Sequence, residues 1–101
     1  MPDASLVRRS RFPAGQIPVK ADFGPDVAFE IHSPTDTPSQ IQRKRKDYQE
    51  SGVVQVWFDL EKRLVEMIHP NRPLQFLDEN QVLVIDTVPG FSLDLHDLYL
   101  N

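Results

Sequence analysis

The chain has 101 residues and no cysteine. Disulfides and thiolate metal sites are therefore excluded. Any metal must be carried by carboxylates and histidine, a donor set suited to a hard cation such as magnesium or manganese. Glycine is scarce, with four against nine prolines. That balance describes short elements divided by firm turns. No apolar run reaches the length of a signal peptide or a membrane span, so a cytoplasmic protein that does not enter a membrane is expected. Positive charge is not in excess. The net charge of −4 argues against a general nucleic-acid coat. An enzyme acting on nucleic acid needs only a local basic surface beside an acidic centre. No internal repeat or low-complexity segment is present.

What the chain does have is enough for one modest core. Hydrophobic residues make up 40% and aromatics 9%, and the length predicts a single domain over residues 1–101. Residues 25–36 organise it. Val27, Phe29 and Ile31 alternate with Asp26, Ala28, Glu30 and His32, the period of a strand. A carboxylate in mid-strand has two readings. Glu30 lies on a solvated sheet face, or Glu30 and His32 line a metal or acid/base site.

Ser33-Pro34-Thr35-Asp36 is a turn. Thr37 then has the chemistry of a helix cap, Pro38 suits the first helical position, and Gln40 completes a capping box. The helix is predicted over about 38–51, with Gly52 as its left-handed stop. Ile41 and Tyr48 mark its inner stripe, flanked by Lys44 and Arg45. Arg43 and Lys46 point to solvent. The inward cations have two readings: snorkelling stems, or a cation delivered to carboxylates on the sheet.

Elsewhere, residues 1–7 read as a short strand. Arg8, Arg9 and Arg11 read as solvated loop charge. Residues 12–24 read as a loop with an extended piece near Ile17-Pro18-Val19. Val53 to Leu60 is the strongest strand and is predicted to be central, covered on both faces. Leu64 to His69 returns as a hairpin partner, and two short strands follow at 74–77 and 82–86. The spaced apolar residues of 91–99 should clamp onto the core. His69 and His96 read as structural or exposed, and Trp57 as core rather than a base-stacking platform.

Geometry limits the site. Asp26 and Glu30 are about 13 Å apart along a straight strand, too far to share one ion. A second ligand must come from an adjacent strand, and Asp3, at the start of the first, is the natural candidate. The candidate constellation is Asp3, Glu30, His32 and Lys44.

The ordered series from Pro25 to Asp36, then Lys44 with Tyr48, Gly52-Val53, Val56-Trp57 and Pro89-Gly90-Phe91 resembles the Uma-two family of restriction-endonuclease-like proteins, in the PD-(D/E)xK nuclease superfamily. The resemblance implies an α+β fold: a restriction-endonuclease-like mixed sheet, one main helix at about 38–51, and C-terminal antiparallel strands. It implies a Mg²⁺- or Mn²⁺-dependent DNA endonuclease. Asp3 matches the superfamily's metal-binding aspartate, and Glu30 its second acidic residue. His32 stands where that half-motif carries lysine, and Lys44 matches the family's helix lysine. Family members usually carry a further region before the Pro-Asp motif, so the chain reads as N-terminally truncated. An incomplete sheet leaves an open edge, and a homodimer would cover it. The rival expectation is a non-catalytic relative acting as a dimerising or partner-binding module.

Overall fold

The computed structural model describes residues 4–6 and 25–99. Asp3, the arginines at 8, 9 and 11 and the extended piece at 17–19 lie outside the described residues. The elements in chain order are β1 (Ala4–Leu6), β2 (Val27–Ile31), α1 (Pro38–Glu50), β3 (Val54–Asp59), β4 (Leu64–Ile68), β5 (Gln75–Asp78), β6 (Val82–Val84), β7 (Ser92–Asp94) and α2 (Leu95–Leu98). The first five strands form one sheet in the order β1-β2-β3-β4-β5, and β6 and β7 form a separate pair.

α1 forms where its end signals place it. Thr37 is extended at φ −81°, ψ 153°, and its side chain accepts the Gln40 N–H while the Gln40 side chain accepts the Thr37 N–H. Both ends of the capping box are therefore made. Past the Ser51 cap, Gly52 takes φ +72°, a conformation that carries little strain only without a Cβ. Because α1 connects β2 to β3, these two strands run parallel, Glu30 beside Trp57. All other neighbours in the main sheet are antiparallel. The mixed sheet with one main helix agrees with the sequence-based expectation.

β3 is central and five of its six residues are buried, because it is covered on both sides. The two covers differ chemically. One sheet face carries Val27, Val54, Val56, Phe58, Val65, Met67 and Leu77, packed with Leu83, Ile85, Leu95 and Tyr99 in a single apolar cluster. The β6–β7 pair and α2 thus cap the hydrophobic face. The tail does clamp onto the core: Leu95 is fully buried and Tyr99 nearly so. It does so as a three-residue strand and a one-turn helix capped by Asp94, whose side chain accepts the His96 N–H. Elements that short leave no readable period. The opposite face carries the register row Glu30, Trp57, Glu66 and Phe76. α1 lies over that polar face.

Candidate active site

α1 contributes no fully buried residue. Ile41, Lys44, Arg45 and Tyr48 are its half-buried positions, spaced as one stripe of a helix. Two of the four are cations, so apolar burial alone cannot fix this helix to the sheet. Polar contacts do. Glu30 is 2% exposed, a carboxylate that must be compensated. Lys44 Nζ donates to Glu30 Oε2 at 3.0 Å, and the Tyr48 hydroxyl donates to Glu30 Oε1 at 2.7 Å. Lys44 and Tyr48 are one helical turn apart, so both reach the same strand residue. The inward cation is therefore not snorkelling: its head is directed at the strand carboxylate, though the Lys44 side chain keeps 41% of its surface in solvent.

A second set of contacts lies next to the first. Arg45 spreads over the Trp57 ring, with its guanidinium carbon 4.9 Å from the centroid. Its Nη2 stands 2.6 Å from Glu66 Oε2. That distance is an ion pair, but the angle falls short of a hydrogen bond: among the described residues, Arg45 Nε and Glu66 Oε2 both lack a hydrogen-bond partner. Beneath the helix, Gln55 Nε2 donates to the Arg45 carbonyl at 3.2 Å, and Trp57 Nε1 donates to Gln55 Oε1 at 2.9 Å. Trp57 is core, as its pattern predicts, at 1% exposure.

Of the predicted site residues, the fold brings Glu30 and Lys44 together. His32 lies further along the same sheet face, its ring 5.4 Å from Trp57. It borders a small pocket of about 90 Å³ with Asp59, Lys62 and Glu66. Asp3 is outside the described residues. Its successor Ala4 pairs with Phe29, the residue before Glu30. His69 belongs to a separate cluster, buried at 8% exposure and bordering a cavity with Arg72 and Asp86. Burial first, and then the Arg72 guanidinium, lower its pKa below the usual 6.5, against an opposing pull from Asp86.

Sequence reasoning placed Tyr48 on the helix stripe but gave it no function. The spacing of four from Lys44 was the available signal. Gln55 was missed outright, because a lone amide in an apolar strand has no pattern.

A family profile described as "putative restriction endonuclease" matches residues 1–96. The chain belongs to the Uma2 (Uma-two) family. No curated protein matches it. Among solved structures, it is similar to one from Anabaena variabilis, titled a putative nuclease belonging to DUF820. The TM-score is 0.81 at 21% identity, over 98% of this chain and 59% of that one. The likeness is one of fold, and this chain spans about three fifths of that structure.

The site can be tested against a divalent metal. Among the described residues no group of three or more His, Asp or Glu side chains could hold a metal ion. Glu30 is a hard oxygen donor of the type magnesium takes, and each of its oxygens keeps lone-pair capacity beyond the single bond described above. The donor type fits, and the count requires a further ligand. Among the described residues, no helix is long and apolar enough to cross a membrane.

Proposed function

We propose that this chain is a metal-dependent DNA endonuclease of the PD-(D/E)xK type, acting by phosphodiester hydrolysis. The observation that supports it is the buried strand carboxylate Glu30 meeting Lys44 from the neighbouring helix at 3.0 Å. Carboxylate and cation placed together are what hydrolysis of an anionic ester requires.

Glu30 and Asp3 would hold Mg²⁺ or Mn²⁺. The chemistry that the ion supplies is polarisation of the phosphate and activation of a water. Lys44 stabilises charge developing on the phosphate, or orients the water, with its half-exposed head. Tyr48 holds the other Glu30 oxygen and so fixes the direction of the carboxylate. His32, two residues beyond Glu30, serves as an alternative base or an additional ligand. DNA is the proposed partner substrate.

Calorimetry with Mg²⁺ and Mn²⁺ on the wild type and on Glu30→Ala tests the metal site, and plasmid nicking by the wild type and Lys44→Ala tests the chemistry. Metal-dependent heat and nicking, both lost in the variants, are expected. No metal-dependent heat in the wild type would sink this reading.

A second reading, a homodimerising module, has its own observation. Phe29, Ile31, Phe58, Leu60, Phe91, Leu93 and Leu98 line an open, almost wholly apolar groove of about 400 Å³. Ile31, Leu60 and Leu98 are each exposed by two fifths or more, and an exposed patch of that kind is suited to contact with another protein surface. Sedimentation equilibrium separates the readings. A dimer that neither binds metal nor nicks DNA supports the module.

A further inference from the structure

We infer that Gln55 is a positioning residue for the Lys44–Tyr48 pair, acting through the backbone of α1. The inference rests on the proposed role of Lys44 and adds a residue that lies outside the site itself.

Gln55 is 1% exposed in the central strand, between Val54 and Val56. An amide there is costly to bury unless both ends are bonded. Both ends are. Its Oε1 accepts the Trp57 indole N–H, and its Nε2 donates to the Arg45 carbonyl. The first bond lies within β3 and fixes which way the amide points. The second leaves the sheet and grips the helix backbone.

The place of the grip matters. Arg45 directly follows Lys44 and stands three residues before Tyr48, the two residues that hold Glu30. α1 has no fully buried side chain to set its height over the sheet. The Arg45 side chain cannot set it alone, because it rests on a ring face and on an ion pair without hydrogen-bond alignment. Beside the Lys44 and Tyr48 bonds to Glu30 and the exposed Gln49 Nε2 bond to the Pro70 carbonyl, the Gln55 amide is the directional contact that joins the buried strand to the helix backbone, and direction is what a hydrogen bond supplies that stacking and ion pairing do not. Trp57 acts twice, orienting Gln55 from its edge and carrying Arg45 on its face. Gln55 therefore sets the depth at which the Lys44 head meets the Glu30 carboxylate.

The test has a readout independent of activity. Reductive methylation, followed residue by residue by mass spectrometry, measures how well each lysine amine is held. In Gln55→Leu, Lys44 should react about threefold faster than in the wild type, the scale of change available to a partly exposed ion pair. Lys46 and Lys62 serve as internal references and should not change. Trp57→Phe keeps a ring beneath Arg45, removes the indole donor, and should give a smaller change in the same direction. Kinetics provide the second arm. Gln55→Leu should lower kcat with KM unmoved, because the lysine acts on the reacting phosphate and not on substrate binding. Unchanged Lys44 reactivity in both folded variants would overturn the inference, as would a loss carried by KM with kcat unchanged. Faster Lys44 methylation in Gln55→Leu, with a wild type that cleaves no DNA, would retire the nuclease reading and still support the positioning role.

Discussion

Removing Lys44 should damage this protein more than removing the charge it meets. The two side chains differ in surroundings: the Lys44 side chain is 41% exposed and that of Glu30 is 3%. In Lys44→Met the Glu30 carboxylate stays out of water with, among the described residues, only the Tyr48 hydroxyl to bond it. Stranding one partner of a fully buried pair costs about 3–5 kcal/mol. Water reaches this pair from the lysine side, so we discount that to about 2 kcal/mol. In Glu30→Gln the lysine head keeps its access to solvent, and the Tyr48 hydroxyl still finds an amide oxygen. The loss is then near that of a partly exposed ion pair, about 0.5–1 kcal/mol. The double variant should cost less than Lys44→Met alone, because no charge is stranded. Urea unfolding in the presence of a chelator measures all four proteins, and the chelator prevents a divalent ion from replacing the lysine. With a slope of about 1–3 kcal/mol per molar, the Lys44→Met midpoint should fall by roughly 1 M. Equal losses in the two single variants, or simple additivity in the double, would refute the argument that burial of Glu30 governs the pair.

Other perturbations probe the remaining supports. Thr37→Ala removes one half of the capping box and should cost about 1 kcal/mol, or about 4–8 °C in Tm by calorimetric scanning. Leu95→Ala empties a fully buried position in the apolar cluster and should cost about 2–5 kcal/mol in denaturant unfolding. His69 has a folded-state pKa below its usual 6.5. The unfolded chain therefore binds its proton first as pH falls, and stability should decline from pH 6.5 downwards. His69→Gln should flatten the urea midpoint over that window, down to where the carboxylates begin to titrate.

Much of the frame was readable from local chemistry. Thr37, Pro38, Gln40 and Gly52 act on their own neighbours, so the limits of α1 followed from spacing alone. β3 declared itself by an unbroken apolar run, and the hairpin to β4 by the polar break between two such runs. Periodicity also put Lys44 and Arg45 inward. The C-terminal elements were less legible, since β7 and α2 are too short to show a period and are held by contact with the apolar face.

What the sequence by itself determined is the capped helix, the central strand, and which helix residues face the sheet, because each of these depends on residues a few positions apart. The tertiary structure decided the partners. Parallel pairing of β2 with β3 brought together Glu30, Lys44 and Tyr48, separated by 14 and 18 positions. It also turned Gln55, in sequence a blemish in an apolar run, into a bond to the helix that carries Lys44. A polar side chain at 2% exposure is defined by what bonds it, and that is set by the packing of distant segments.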